Sequence, residues 1–144
     1  MSEFDHDRLD VYRIAIEFVV IANEIAEQLP RGRGYLADQL QRAATSIPLN
    51  IAEGAGEYSS GDKARFYRMG RRSATECAAI LDVCQRLRLV PEDAYTTARE
   101  LLIRIVSMLV RMVRGLDGQT QSVPPIVEPT KPGTGTLTGS TATQ

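Results

Sequence analysis

Residue types that do covalent or acid–base chemistry are sparse in this chain. Among 144 residues there is one histidine, His6, and there are two cysteines, Cys77 and Cys84. His6 lies in a polar N-terminal arm, Glu3-Phe4-Asp5-His6-Asp7, so no Ser/His/Asp or Cys/His arrangement can be assembled on a rigid helix. Four-ligand zinc spacing is absent; neither a metal site nor a cofactor is expected. On one helix, at about 1.5 Å of rise per residue, the two cysteines would stand roughly 10 Å apart, too far for a disulfide. They read as small apolar core residues in a reducing compartment. Gly54-Ala55-Gly56 and Gly61-Asp62-Lys63 lack the Gly-x-x-x-x-Gly-Lys-Ser/Thr string and the preceding strand of a phosphate loop. Enzyme is the weakest class.

Two polar constellations remain. Arg42, Ser46, Asn50, Glu53 and Glu57 share one sector of a helical wheel, and Glu76 is a candidate neighbour. Asn50, Glu53 and Glu76 facing an interhelical pocket would form a small-ligand or cation site, or a carboxylate pair sharing one proton. The plainer and preferred reading is structural. Asn50 and Glu53 would satisfy backbone groups freed by Pro48, or pair with Arg42 or Arg72 at a subunit interface. Gly54 and Gly56 read as the end of that helix.

The second constellation is basic. Residues 1–30 hold seven acids against Arg8 and Arg13, a balance of −5, whereas residues 31–72 carry +4. Arg65, Arg68, Arg71 and Arg72 span one side of a helix, opposite Phe66, Gly70 and Cys77. With Arg42, they are the candidate nucleic-acid contacts, since the guanidinium fork matches phosphate geometry. The preferred alternative is a solvated face that pairs with the acidic first helix of the same or a neighbouring subunit. The whole chain has a formal net charge of −1, which excludes a uniformly basic coat.

The elements that must position these residues are four apolar-periodic stretches. The first runs from about Arg8 to Leu29 and stops at Pro30-Arg31-Gly32-Arg33-Gly34. The second, about Tyr35 to Glu57, has Leu36, Leu40, Ala43, Ile47, Ile51 and Gly54 at helical steps, with a kink expected at Pro48. The third begins after Tyr58-Ser59-Ser60-Gly61, where the spacing of Ser59 to Asp62 resembles a capping box. Its seam is Phe66, Gly70, Ser73, Cys77, Ile80, Cys84 and Leu87. The fourth opens with Pro91-Glu92-Asp93 and buries Tyr95, Ala98, Leu102, Ile105, Leu109, Met112 and Leu116. Short connections make an all-α, antiparallel up-and-down four-helix bundle over residues 8–116, after an arm at 1–7. Residues 117–144, with seven threonines, four prolines and four glycines, read as a disordered tail.

Helix 1 carries more apolar surface than one seam needs. Val11, Ile14, Ala15, Phe18, Ile21, Ala22, Ile25 and Leu29 form one stripe, while Tyr12, Ile16, Val19 and Val20 lie largely outside it. A helix apolar nearly all round is covered on several sides. A homo-oligomer interface is therefore expected at Tyr12, Ile16, Phe18, Val19 and Val20. No stretch is long enough to cross a bilayer and the acidic N-terminus has no apolar signal region, so a cytoplasmic protein without a membrane partner is expected.

The string Leu40-Gln41-Arg42-Ala43-Ala44-Thr45-Ser46-Ile47-Pro48-Leu49-Asn50-Ile51-Ala52-Glu53-Gly54 resembles the signature of the bacterial proteins named after intervening sequences in 23S rRNA genes. The resemblance continues through Lys63-Ala64-Arg65-Phe66-Tyr67 and Arg72-Ser73-Ala74-Thr75-Glu76-Cys77, and covers roughly residues 9–116. It implies an antiparallel four-helix bundle assembling into a homopentameric ring. A more distant similarity is to the Avd accessory proteins of diversity-generating retroelements, basic pentamers that contact a reverse transcriptase and nucleic acid. This chain departs from the pattern with Leu49 in place of a small alanine, with 15 arginines against two lysines, and with its neutral tail. The expectation is a non-catalytic oligomeric scaffold with an unspecified protein partner. A nucleic-acid-binding accessory protein is second and a small-ligand binder near Asn50 and Glu53 third.

Overall fold

The computed structural model describes residues 3–122. A 3-10 helix, Asp5–Arg8, leads into α1 (Asp10–Gln28), α2 (Gly34–Ala55), α3 (Ser60–Arg86) and α4 (Glu92–Ser122). There is no strand among the described residues. Each helix packs on its neighbours in a closed square: α1 touches α2 and α4, α3 touches α2 and α4, and α1 and α3 lie on a diagonal without contact. Short connections between antiparallel neighbours produce that arrangement.

The core is the set of residues that face the middle of the square. Phe18 of α1, Leu40, Ile47 and Ile51 of α2, Leu81 of α3, and Leu102, Ile105 and Leu109 of α4 are fully buried, together with Cys77 and Cys84. Both thiols are free. Burial of apolar side chains at roughly 1.5–3 kcal/mol each is the main term opposing chain entropy. The stripes read on α1 and α2 are buried largely as expected. On α3, Gly70, Cys77, Ile80 and Cys84 are buried, but Phe66, Ser73 and Leu87 give way to Ala64, Tyr67, Ala74 and Leu81. Tyr67, Gly70, Ala74, Cys77, Leu81 and Cys84 step 3-4-3-4-3, so the seam keeps the expected seven-residue repeat and lies on the other flank of the Gly70, Cys77 and Cys84 line.

The helix ends are chemically explicit. Ser59 is the N-cap of α3 and its Oγ accepts from the Asp62 N–H at 3.0 Å. At the other end, the Leu89 N–H reaches the Cys84 carbonyl at 2.8 Å and the Arg88 N–H reaches Gln85 at 3.0 Å. This is a Schellman closure with Arg88 at φ 61° where glycine is usual. Lys63 donates to the terminal carbonyls of α2, Ala55 at 3.0 Å and Gly54 at 3.4 Å. That puts a cation at the negative end of the helix. Pro48 is buried within α2, which continues across it unbroken.

Two boundaries differ from the sequence reading. The arm is not free of the bundle: the 3-10 helix rests on α1 and α2, with His6 stacked on Phe4 at 5.6 Å and 4.5 Å from Tyr12. At the other end α4 passes Leu116 and reaches Ser122. Gly115 and Gly118 each cost the helix only about 1 kcal/mol, whereas the prolines that cannot be helical start at Pro124. Of the expected disordered tail, residues 123–144 lie outside the described residues.

Candidate functional site

The polar cluster on α2 does not converge on a pocket. The antiparallel register of α2 and α3 places Gly54 beside Tyr67, Asn50 beside Gly70, and Ser46 beside Ser73. Glu76, three residues beyond Ser73, therefore sits far along α2 from Glu53, roughly 10–15 Å at 1.5 Å per residue. Both carboxylates are exposed, so the shared-proton pair and the interhelical cation site are corrected. Among the described residues no polar or charged residue is buried. Asn50 and Ser46 instead bond backbone carbonyls of the turn that precedes Pro48. The Asn50 side-chain amide donates to the Ser46 carbonyl at 2.8 Å, Ser46 Oγ donates to the Ala43 carbonyl at 2.9 Å, and the Ser46 and Ser73 hydroxyls are hydrogen-bonded at 2.5 Å. Arg42 is paired with Asp38 one turn earlier, at 3.0 Å.

Glu53 has different neighbours. With Glu57 and Gly56 it lines a ≈ 280 Å³ surface pocket closed on one side by Phe4, Asp5 and His6 of the 3-10 helix. Sequence reasoning missed this pocket because it set the N-terminal arm apart from the bundle. Among the described residues no group of three or more His, Cys, Asp or Glu side chains could hold a metal ion.

The arginine face is real but less uniform than a wheel suggests. Arg65, Arg68 and Arg72 are exposed, and Arg71 is half-buried toward α4. Arg65 lies over the Phe66 ring at 4.4 Å, and Arg68 meets Asp117 of α4 at 3.7 Å. Arg65, Arg71 and Arg72 have no ion pair within 4.0 Å among the described residues. Acidic α1 cannot neutralise them within the chain, because it lies diagonally opposite α3. The α1 and arm carboxylates Glu3, Asp5 and Asp10 pair with nearby Arg8 and Arg13.

Of the five residues expected at an oligomer interface, Phe18 is corrected: it is fully buried in the core of its own chain. Its wheel position, at the middle of the inward stripe, already required that. Tyr12 and Val19 are partly buried against the core, while Ile16 and Val20 are 42% and 54% exposed. Leu49 of α2 is 61% exposed. A second apolar surface was not anticipated. Between α3 and α4 a groove of ≈ 210 Å³ is lined by Ala74, Ala78, Leu102, Ile103 and Val106, with Thr75, Arg99 and Ser107 at its edges. Ile103 is 56% exposed there. The signal was present in the Ile103/Val106 pair, which lies outside the α4 seam.

No helix among the described residues is long and apolar enough to cross a membrane. These features define an all-α four-helix bundle whose polar chemistry lies on its surface. The chain belongs to the 23S rRNA-intervening sequence protein family, which it matches over residues 7–111. A solved structure of similar fold is a protein of unknown function from the S23 ribosomal protein family of Bacteroides thetaiotaomicron VPI-5482. It is 21% identical, with 72% of this chain and 97% of that chain covered and a TM-score of 0.67. The chain matches no curated protein.

Proposed function

We propose that this protein is a non-catalytic homo-oligomeric scaffold of the cytoplasm, a ring of five bundles by resemblance to its family. The observation that carries the reading is the pair Ile16 and Val20, one turn apart on α1 and 42% and 54% exposed. Exposed aliphatic side chains sharing a helix face mark a protein contact. The reading is tested by light scattering behind a sizing column at low and high salt, with absorbance at 260 and 280 nm. A salt-stable mass near five subunits, free of nucleic acid, is the expected result. A monomer overturns it.

A second reading has its own support. The positive face of α3 is not neutralised by α1 within the chain, and guanidinium groups suit phosphate. In this reading the protein is a nucleic-acid-binding accessory, and nucleic acid co-purifies until high salt strips it away. Changing Arg65, Arg68, Arg71 and Arg72 together to Gln then abolishes binding. Survival of binding overturns the assignment of that face, and loss of the oligomer in the same variant makes those arginines structural.

A further inference from the structure

We infer that the α3–α4 groove docks one helix of a different protein, with aliphatic side chains along one half of its contact face and carboxylates along the other. Two interhelical ion pairs bound this side of the bundle. Asp82 of α3 meets Arg99 of α4 at 3.3 Å, and Arg68 of α3 meets Asp117 of α4 at 3.7 Å. Arg68 and Asp82 are 14 residues apart, about 21 Å along α3. Next to the Asp82–Arg99 bridge lies the ≈ 210 Å³ groove, walled by Ala74, Ala78, Leu102 and Val106, with Ile103 56% exposed on its rim.

Between that groove and the Arg68–Asp117 bridge stand two further cations. Arg71 is one turn from Thr75 of the groove, whose Oγ donates to the Arg71 carbonyl at 3.1 Å. Arg114 follows Ile103, Ser107 and Val110 at steps of four, three and four residues, which places it on the same face of α4. Neither guanidinium has an ion pair within 4.0 Å among the described residues. The other acids of these stretches face elsewhere. Glu76 follows Ser73 on the α2 side of α3, and Glu100 shares the α1 side of α4 with Arg104, Met108 and Arg111. With Asp82 and Asp117 already paired, the surface between the bridges is apolar in one half and carries two uncompensated positive charges in the other.

The groove also selects the backbone of its occupant. Its walls are helices that satisfy their own main chains, so beyond the side chains of Thr75, Arg99 and Ser107 it offers no hydrogen-bonding group. An extended peptide laid there would leave its amides and carbonyls unpaired, whereas a helix bonds its own. Ala74 and Ala78 allow a third helix to approach, and a volume of ≈ 210 Å³ is below the roughly 300–1,000 Å³ of small-molecule sites. Charge complementarity then requires carboxylates opposite Arg71 and Arg114, about one to three turns along the partner from its aliphatic anchors. A nucleic-acid strand would meet the arginines but gain nothing from the aliphatic half. The homo-oligomer reading above rests on Ile16 and Val20 and leaves this side of the bundle uncovered.

The test selects a displayed library of helical peptides, each about 18 residues or five turns long, on the full chain. Leucine is fixed at i, i+3, i+4 and i+7, and the remaining positions are randomised. The enriched peptides are expected to carry glutamate or aspartate toward one end of the contact face. One such peptide, synthesised, is expected to bind at least about tenfold more weakly to Ile103→Asp and to the double variant Arg71→Glu/Arg114→Glu. Exchanging its carboxylates for lysine is expected to restore binding to the double variant. Helical circular dichroism and melting of each variant are compared with the parent, and Arg114→Glu alone, at an exposed position, serves if the double variant melts early. A library that yields no binder, or binders rich in lysine and arginine, overturns the assignment. So does a peptide whose affinity is unchanged in Ile103→Asp. If Ile103→Asp lowers the mass of an assembled parent in light scattering, a second copy fills the groove, and the partner helix is overturned while the homo-oligomer reading stands. An RNA oligonucleotide that displaces the peptide and binds Ile103→Asp at full strength would give this side to nucleic acid instead.

Discussion

Tyr67 lays the edge of its ring against Gly54. A Cβ built on Gly54 would stand 2.6 Å from Tyr67 Cε1 and 2.8 Å from Cδ1, closer than real contacts allow. Gly54 lies inside α2, and the glycine lets α3 approach the end of α2 at the level of the buried tyrosine. Gly70, where α3 passes Asn50, is different, since its Cβ would meet nothing nearer than 3.6 Å. Gly54→Ala is therefore expected to destabilise by about 1–2 kcal/mol, an overpacking cost partly offset by helix propensity. Gly70→Ala is expected to stabilise by roughly 0.5–1 kcal/mol. Urea midpoints of the two variants check both signs. An equal effect at both sites would remove the close-approach account.

Gly54 also shows where the sequence was legible and where it was not. Helical steps such as Leu36, Leu40, Ala43 and Ile47 name the inward face of α2 because burial follows the 3.6-residue period. The Ser59 cap of α3 was legible too, whereas Asn50 and Ser46 bond the Ser46 and Ala43 carbonyls rather than the Ala44 carbonyl that Pro48 frees. What one helix does to another was not. That Tyr67 and not Phe66 turns inward depends on which flank of the Gly70, Cys77 and Cys84 line meets the neighbouring helices, and that Glu53 and Glu76 stay apart depends on the register between α2 and α3. The packing of His6 on the bundle depends on the path of a segment too short for periodicity. Each requires knowing two elements at once, which wheel sectors on single helices do not encode.

Phe18 separates folding from assembly. It is fully enclosed by its own chain, so Phe18→Asp buries an unpaired charge and removes a large core side chain. A loss of roughly 3–5 kcal/mol or more is expected, a large share of a domain's whole stability. The variant is expected to lose cooperative melting by circular dichroism. A folded but dissociated Phe18→Asp would return that residue to the interface.

The buried thiols make an alkaline prediction. Burial pushes the Cys77 thiol from 9.0 up to about 12, with neighbouring Glu76 adding to the effect. The unfolded chain ionises Cys77 near pH 9, while the native chain holds its proton. The stabilisation is thus complete below pH 9 and is lost progressively up to about 12, with a slope approaching 1.4 kcal/mol per pH unit for this one group. Cys84 is shifted in the same direction by burial, against the opposing charge of Arg33. Urea midpoints from pH 7 to 10.5 are expected to be flat and then fall, with a shallower fall in Cys77→Ala. An identical profile in the variant would assign the alkaline loss to other groups.

Arg88 holds a backbone conformation that costs an ordinary residue energy. At φ 61° it sits in the left-handed region, where a side chain costs roughly 1–2 kcal/mol and glycine nearly nothing. The hydrogen bonds that close α3 are made by the backbone of Arg88 and Leu89, so they survive replacement of the side chain. Arg88→Gly is accordingly expected to stabilise by up to about 1 kcal/mol, the strain relief less the greater freedom of glycine in the unfolded chain. Arg88→Ala removes the same guanidinium but keeps the Cβ and is expected to bring no gain. Denaturation midpoints that rise for glycine alone assign the effect to the backbone. Equal gains for both variants would mean that the cost at position 88 comes from arginine's charge, set among the ten cations of α3 and α4.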